Sequence, residues 1–143
     1  MAEEISTQKE TPKPPKTVEL AVLFTFLAIM TGMTEFILEL AGIGQQTIEM
    51  ENYEITAIIG FAINFIFMIL FLKKQNWARI LFTVFFFLGL LALVPIVKEE
   101  LKSDLIGAAS SILQTVFELI AIMLLFSKTS NTWFKKNKNV IQK

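Results

Sequence analysis

The sequence predicts an all-α, polytopic membrane protein, an antiparallel bundle of four transmembrane helices. Each of four long apolar segments has close to the roughly 20 residues that a helix needs to cross a bilayer's hydrocarbon core. Short charged connectors separate these segments, and 54% of the 143 residues are hydrophobic. The predicted spans are residues 18–40, 55–72, 77–97 and 105–126.

A short leader precedes the first span and a basic tail follows the fourth. Residues 11–16 hold three Pro and two Lys, a composition typical of an extended or disordered chain. We therefore predict a flexible leader over residues 1–16, a four-helix transmembrane domain over 17–127 and a basic tail over 128–143. The first apolar run is too long for the core of a signal peptide, so we expect it to stay in the protein.

The uneven distribution of basic residues predicts the topology. Eleven of the 13 Lys and Arg residues lie in the leader, the second connector and the tail. The first connector, residues 41–54, carries three Glu and no basic residue. Because basic loops are retained on the cytoplasmic side of a membrane, both termini and the second connector are predicted to be cytoplasmic.

The first two spans each carry a stripe of polar or small residues spaced four apart, which places each stripe on one helix face. The stripes are Thr31, Glu35 and Glu39 on the first span, and Thr56, Gly60 and Asn64 on the second. Such stripes usually face neighbouring helices, so we expect both to turn inward. A short interfacial helix is predicted between these spans at residues 48–53.

The third span is the most uniformly apolar and contains a cluster of Phe residues at 82–87. We expect it to face lipid over much of its surface. Pro95 lies near its outer end, where a kink or an early end of the helix costs least because few hydrogen bonds are lost. Trp77 and Arg79, at its start, are expected to reach the lipid headgroups.

The fourth span combines a predicted cap with a polar face. Ser103 and Asp104 are the residue types that cap helix N-termini. Polar residues then recur at offsets 0, 3, 4 and 7, which places them on one side of the helix. They are Ser111, Gln114, Thr115 and Glu118.

Glu118 is the strongest candidate for a functional residue, because charged groups inside a span are costly and often mark function. Its depth is close to that of Asn64 on the second span, which predicts a hydrogen bond between them. Glu35 lies in the outer half, at a depth near Ser111. No basic residue lies deep in a span, so burial favours the neutral acid for both glutamates. The candidate binding residues are Glu118, Asn64, Glu35, Gln114 and Ser111.

Three hypotheses account for these intramembrane polar residues. They hold the helices of the bundle together, they form a carboxylate relay for protons or cations in an oligomer, or they recognise another membrane protein. Each is compatible with the spacing of the residues.

The composition excludes much catalytic chemistry. The chain contains no Cys and no His, which removes thiolate nucleophiles and the commonest metal ligand and general base. No nucleophile–base pair is visible, so we predict no enzymatic activity, no cofactor and no metal site. The predicted partners are the lipid bilayer and either another membrane protein or a second copy of this chain, and nucleic-acid binding is not expected.

Two short motifs resemble a broad group of small bacterial inner-membrane proteins whose function is mostly unassigned. Residues 76–79 read N-W-A-R between the second and third spans, and residues 130–134 read S-N-T-W-F after the fourth. In that group a Pro- and Lys-containing leader also precedes four spans. The resemblance implies a multi-pass protein of the bacterial inner (plasma) membrane and supplies no activity or catalytic residue.

Two further groups of four-span proteins are similar in size. Small multidrug transporters have an essential Glu in their first span, where Glu35 lies here, but their surrounding small-residue motif is missing from this chain. Immunity proteins against pore-forming toxins share its size and topology. We therefore predict a non-enzymatic accessory, interaction or immunity-type protein that binds another membrane component. The alternative is a small oligomeric proton- or cation-coupled transporter or channel.

Overall fold

The computed structural model describes residues 13–42 and 53–135. This part of the chain is helical with no strand, which confirms the predicted all-α bundle. The helices are α1 (Lys16–Leu40), α2 (Tyr53–Leu72), α3 (Asn76–Ser103), α4 (Leu105–Leu125) and α5 (Lys128–Lys135). The interfacial helix predicted at 48–53 falls outside the described residues except for Tyr53, where α2 begins.

The four long helices agree closely with the predicted spans. All four are long and apolar enough to cross a membrane, so the chain is a multi-pass helical membrane protein. Large apolar side chains cover the outside of the bundle, including Leu91, which is 75% exposed. The prediction that α3 faces lipid is consistent with this surface, and α2 exposes its Ile residues in the same way.

Helix α3 does not end at Pro95 but continues through this residue to Ser103. The helix extends six residues beyond the predicted end of the span. Proline removes one backbone donor and crowds the preceding turn, which is tolerated here near the end of a long helix.

The cap predicted for the fourth span is confirmed at Asp104. Its Oδ1 accepts hydrogen bonds from the backbone N–H groups of Ile106 (3.0 Å) and Gly107 (3.1 Å). These are two of the donors that a helix N-terminus leaves without an intrahelical partner. Asp104 thereby fixes the sharp turn between α3 and α4.

Helices α1 and α4 pack most closely and run antiparallel, since Thr17 contacts Ser130 at one end and Glu35 approaches Gly107 at the other. We call this contact the seam. Its buried residues are mostly small, which lets two backbones approach. They include Ala21, Thr25 and Ala28 on α1, and Gly107, Ala108 and Ala121 on α4.

Helices α2 and α3 pack mainly at the end of the bundle where their short hairpin lies. The ring of Phe82 meets those of Phe67 and Phe71 edge-on, at centroid distances of 5.5 and 5.4 Å. Beyond this cluster the two helices separate. Together with α4 they border a cavity that carries the candidate site.

Candidate functional site

The cavity between α2, α3 and α4 has a volume of about 290 Å³. Its walls are apolar and half of their residues are aromatic, and its floor is polar. The wall residues Ile63 and Phe85 are 38% and 45% exposed, and Gly89 is also exposed. The cavity is therefore a cleft that reaches the lipid-facing surface of the bundle between α2 and α3, and we refer to it as the cleft.

The floor is the polar face of α4 that the sequence predicts. All four of its residues line the cleft, and Asn64 joins them from α2. The helical spacing of the α4 residues explains this arrangement, because they lie within about one face of the helix. The floor residues are Ser111, Gln114, Thr115, Glu118 and Asn64.

The hydrogen bond predicted between Asn64 and Glu118 is not the one that these side chains make. Asn64 Nδ2 donates to the carbonyl oxygen of Gly60 (3.1 Å), one turn earlier on α2. A hydrogen bond joins Glu118 to Gln114, one turn earlier on α4. Helices α2 and α4 lie on opposite sides of the cleft and make few direct contacts. A similar depth in the membrane therefore does not bring Asn64 and Glu118 within hydrogen-bonding distance.

Gln114 is held between the cleft and the seam. A Cβ atom added to Gly32 of α1 would lie 2.7 Å from Gln114 Oε1. The glycine therefore makes room for this side chain, while the same amide group contacts Glu118. Helix α1 thereby holds Gln114 in place on the side of α4 that faces away from the cleft.

Glu35 is not part of the cleft, although the sequence groups it with Glu118. Its Oε1 and Asp104 Oδ2 both lie within 3.5 Å of the point that a Cβ on Gly107 would occupy, so the two carboxyl groups are at most about 6.5 Å apart. Glu35 also lies within electrostatic range of Glu39 and Glu100. We call this end of the bundle the acidic end.

One hydrogen bond connects the cleft with the acidic end. Ser111 lines the cleft, and its side chain bonds with the buried carboxyl group of Glu100 on α3. The polar floor therefore continues along α4 to the carboxylates. Among the described residues, no group of three or more acidic side chains has the arrangement of a metal site.

Most polar side chains within the spans bond to their own helix. Each donates to the carbonyl oxygen four residues earlier, a common way to satisfy hydroxyl and amide groups away from water. These residues are Thr25, Thr31, Thr34, Asn64, Thr83 and Thr115. Of the floor residues, Asn64 and Thr115 bond within their own helices, whereas Ser111 joins α4 to α3 through Glu100.

Sequence reasoning missed the aromatic walls of the cleft, because it treated the Phe cluster of α3 as lipid-facing or packing surface. The available signal was the spacing of one helix face, with offsets 0, 3, 4, 7, 8 and 11. These residues are Phe82, Phe85, Phe86, Gly89, Leu90 and Leu93. Phe67 completes the wall from α2.

The opposite end of the bundle, which we call the basic end, brings together the two sequence motifs. Arg79 Nη1 donates to the carbonyl oxygen of Leu125 (3.0 Å) and to Asn131 Oδ1 (2.6 Å). Its guanidinium carbon lies 4.9 Å and 4.8 Å from the ring centroids of Phe126 and Phe134. The N-W-A-R turn thus holds the end of α4 and the helix α5 that follows it.

Arg79, which we expect at the lipid headgroups, is only 6% exposed, and its guanidinium bonds to groups of the protein itself. A carbonyl group at a helix C-terminus and two aromatic rings compensate the buried charge. Trp77, two residues earlier, is 52% exposed, as expected for an interfacial aromatic residue. Lys74 Nζ lies 3.8 Å from the ring centroid of Trp133 and adds a third cation–π contact.

The chain matches no protein-family model, and comparisons with curated proteins and with solved structures return no match.

Proposed function

We propose that this chain is a non-enzymatic accessory or interaction protein, of the class that includes immunity proteins, which binds a transmembrane helix of another membrane protein at the cleft. The observation that supports this most is the polar floor at the base of an apolar, lipid-accessible cleft. Glu118 and Gln114 bond to each other within one helix and do not join α4 to α2.

The surface around the cleft is suited to a helical partner. Exposed apolar side chains flank its mouth on both helices, among them Ile66 on α2 and Leu88 on α3, at 54% and 58% exposed. In lipid, helices associate through close packing and hydrogen bonds, since apolar burial alone gives little gain there. A partner helix that places a polar side chain on the cleft floor would supply both.

We further propose that the basic end faces the cytoplasm of a bacterial inner membrane. Lys73, Lys74, Lys128 and Lys135 lie at this end, whereas the acidic end carries Glu35, Glu39, Glu100 and Asp104. The positive-inside rule places the basic end in the cytoplasm, and the short motifs resemble those of bacterial inner-membrane proteins. Cysteines introduced at Lys73 and at Lys98, labelled from either side of the membrane, test this orientation.

Site-specific photocrosslinking in native membranes tests the binding role. A photoreactive residue at Ile63, at the mouth of the cleft, should crosslink to one partner protein, and the same residue at Leu23 of α1 should not. Leu23 is the matched control because it is also an exposed apolar side chain, at 48% against 38% for Ile63.

A second variant ties any crosslink to the cleft itself. A Cβ on Gly89 would meet no atom within 4 Å, so Gly89→Trp fills the cleft with little strain. We expect it to abolish the crosslink from Ile63. Leu91→Trp, on the other side of α3, should leave it intact. A crosslink that survives Gly89→Trp would contradict binding at the cleft.

The second candidate function is a small oligomeric proton- or cation-coupled transporter or channel. The hydrogen bond from Ser111 to Glu100 favours it, because this bond continues the polar groups of the cleft toward the acidic end. Purified protein in liposomes should then carry a proton or cation flux that Ser111→Ala and Glu118→Gln reduce. Absence of flux in wild-type liposomes would reject this candidate and leave the binding role in place.

A further inference from the structure

We infer that the partner helix presents a basic side chain, lysine or arginine, to Glu118 in the cleft. This inference rests on the proposed binding role and adds the chemistry of the partner. It follows from three features of the cleft: the carboxyl group on its floor, the aromatic residues of its walls and the position of the described basic residues.

Among the residues that the structure describes, Glu118 is the one acidic group that lines the cleft, and no Lys or Arg lines it. The other floor residues, Asn64, Ser111, Gln114 and Thr115, are neutral. A carboxyl group is best complemented by a cationic donor, whose hydrogen bonds to it are stronger than those of neutral donors. An acidic guest would add a second carboxyl group with no cation to pair with, and an aliphatic guest would leave Glu118 covered without a new partner.

The walls of the cleft also favour a lysine or arginine side chain. Phe67, Phe82, Phe85 and Phe86 surround the floor, and the face of an aromatic ring attracts a cation. Lysine and arginine also have long apolar stems that pack along apolar surface while the charged tip reaches a polar group. A cleft of about 290 Å³ admits a side chain of this kind and excludes a whole helix, which is roughly 10 Å wide.

Two basic residues at the basic end, Arg79 and Lys74, contact groups outside the cleft. The guanidinium of Arg79, the basic residue of α3 on this side of the cleft, bonds with Leu125 and Asn131 and lies between two Phe rings. Lys74 covers Trp133. Glu118 lies seven residues before Leu125, about 10 Å along α4 from the basic end. Since no Lys or Arg of the described residues lines the cleft, we expect a cation that reaches Glu118 from within the membrane to come from another molecule.

Synthetic transmembrane peptides test this inference without knowledge of the natural partner. A Leu/Ala host helix with a single central guest residue, Lys, Arg, Leu or Glu, is mixed in liposomes with the full chain, and association is followed by fluorescence energy transfer. We expect the Lys and Arg peptides to associate at least tenfold more tightly than the Leu peptide, and the Glu peptide to associate most weakly.

Two carboxyl variants provide the matched comparison. In Glu118→Gln, the Lys peptide should associate only as tightly as the Leu peptide. Glu35→Gln changes an intramembrane carboxyl group outside the cleft and should keep the preference for the Lys peptide over the Leu peptide. Glu118→Asp keeps a carboxyl group and should retain part of the preference for the Lys peptide. This result would show that the loss in Glu118→Gln comes from the missing carboxyl group and not from misfolding. A preference that depends on Glu35, or that persists in Glu118→Gln, overturns the inference.

The outcomes for the inference and for the binding role are distinct. If all guests associate equally and Gly89→Trp abolishes their association, the cleft binds helices without regard to charge, and only the inference is wrong. If Gly89→Trp changes nothing for any peptide, the proposed binding at the cleft is wrong as well.

Discussion

The seam and the cleft lie on opposite sides of the bundle. They differ in side-chain size and therefore in how closely their helices pack. In the seam, small residues such as Ala21, Ala28 and Ala121 are fully or almost fully buried, so the backbones of α1 and α4 come close. Around the cleft, Phe67 and Phe82 fill the space near the hairpin and keep α2 and α3 apart beyond it. A bundle of four similar apolar helices therefore has one closed side and one open side.

Polar groups are used differently on the two sides. In the seam, Thr25 is fully buried and satisfies its hydroxyl group on the carbonyl oxygen of Ala21 at 3.0 Å. In the cleft, Glu118 and Asn64 keep hydrogen-bonding capacity beyond their bonds within α4 and α2. The closed side therefore supplies stability, and the open side can be altered at little cost.

Arg79→Ala should be the most destabilising of these changes, because it removes hydrogen bonds to Leu125 and Asn131 and leaves a buried carbonyl group unpaired. Charged hydrogen bonds contribute about 1.5–3 kcal/mol each, so we expect the free energy of unfolding to fall by about 3 kcal/mol. Denaturation in mixed micelles, followed by circular dichroism, measures it. Lys73→Ala, at an exposed residue nearby, is the control. An equal effect of both changes would contradict the role of Arg79.

Leucine at Gly32 and at Gly89 compares the two sides directly. A Cβ on Gly32 already lies 2.7 Å from Gln114 and 3.3 Å from Phe61, whereas one on Gly89 meets nothing within 4 Å. Gly32→Leu should therefore cost about 1–3 kcal/mol through overpacking. Gly89→Leu should stay within about 0.5 kcal/mol of wild type. The same denaturation experiment measures both, and similar losses would show that the cleft is as closely packed as the seam.

Asp104→Ala should have an intermediate effect at the acidic end of the seam. The change removes the cap that accepts from Ile106 and Gly107, which is worth about 1 kcal/mol. Asp104→Asn keeps the capping oxygen and should retain most of this stability. A loss of equal size in both variants would indicate that the charge, and not the cap, stabilises this end.

Glu118→Gln should have the smallest effect on stability, within about 0.5 kcal/mol, because Glu118 bonds within its own helix. Thermal unfolding in detergent and in nanodiscs measures it. The prediction separates a binding residue from one that holds the helices together. A loss above about 1 kcal/mol would favour a structural role for Glu118.

The amino-acid sequence is enough to predict that the chain lies in a lipid bilayer, how many spans it has and where most of its helices end. Apolar segments of about 20 residues have few stable alternatives to a helix in lipid, because every backbone polar group must be satisfied internally. The polar face of α4 and the cap at Asp104 were also predictable, since both depend on spacing within a few turns of one chain. Glu118, Gln114, Ser111 and Asn64 were found this way.

Which of these residues share a site depends on how the helices pack against one another. Helical spacing gives the face and depth of a residue, but not the distance between helices, which depends on the side chains packed between them. Glu35 and Glu118 therefore looked alike in sequence, yet one lies beside Gly107 at the acidic end and the other on the floor of the cleft. In the same way, Arg79 had the sequence context of an interfacial residue, and only its contacts with Leu125 and two Phe rings made it a buried one.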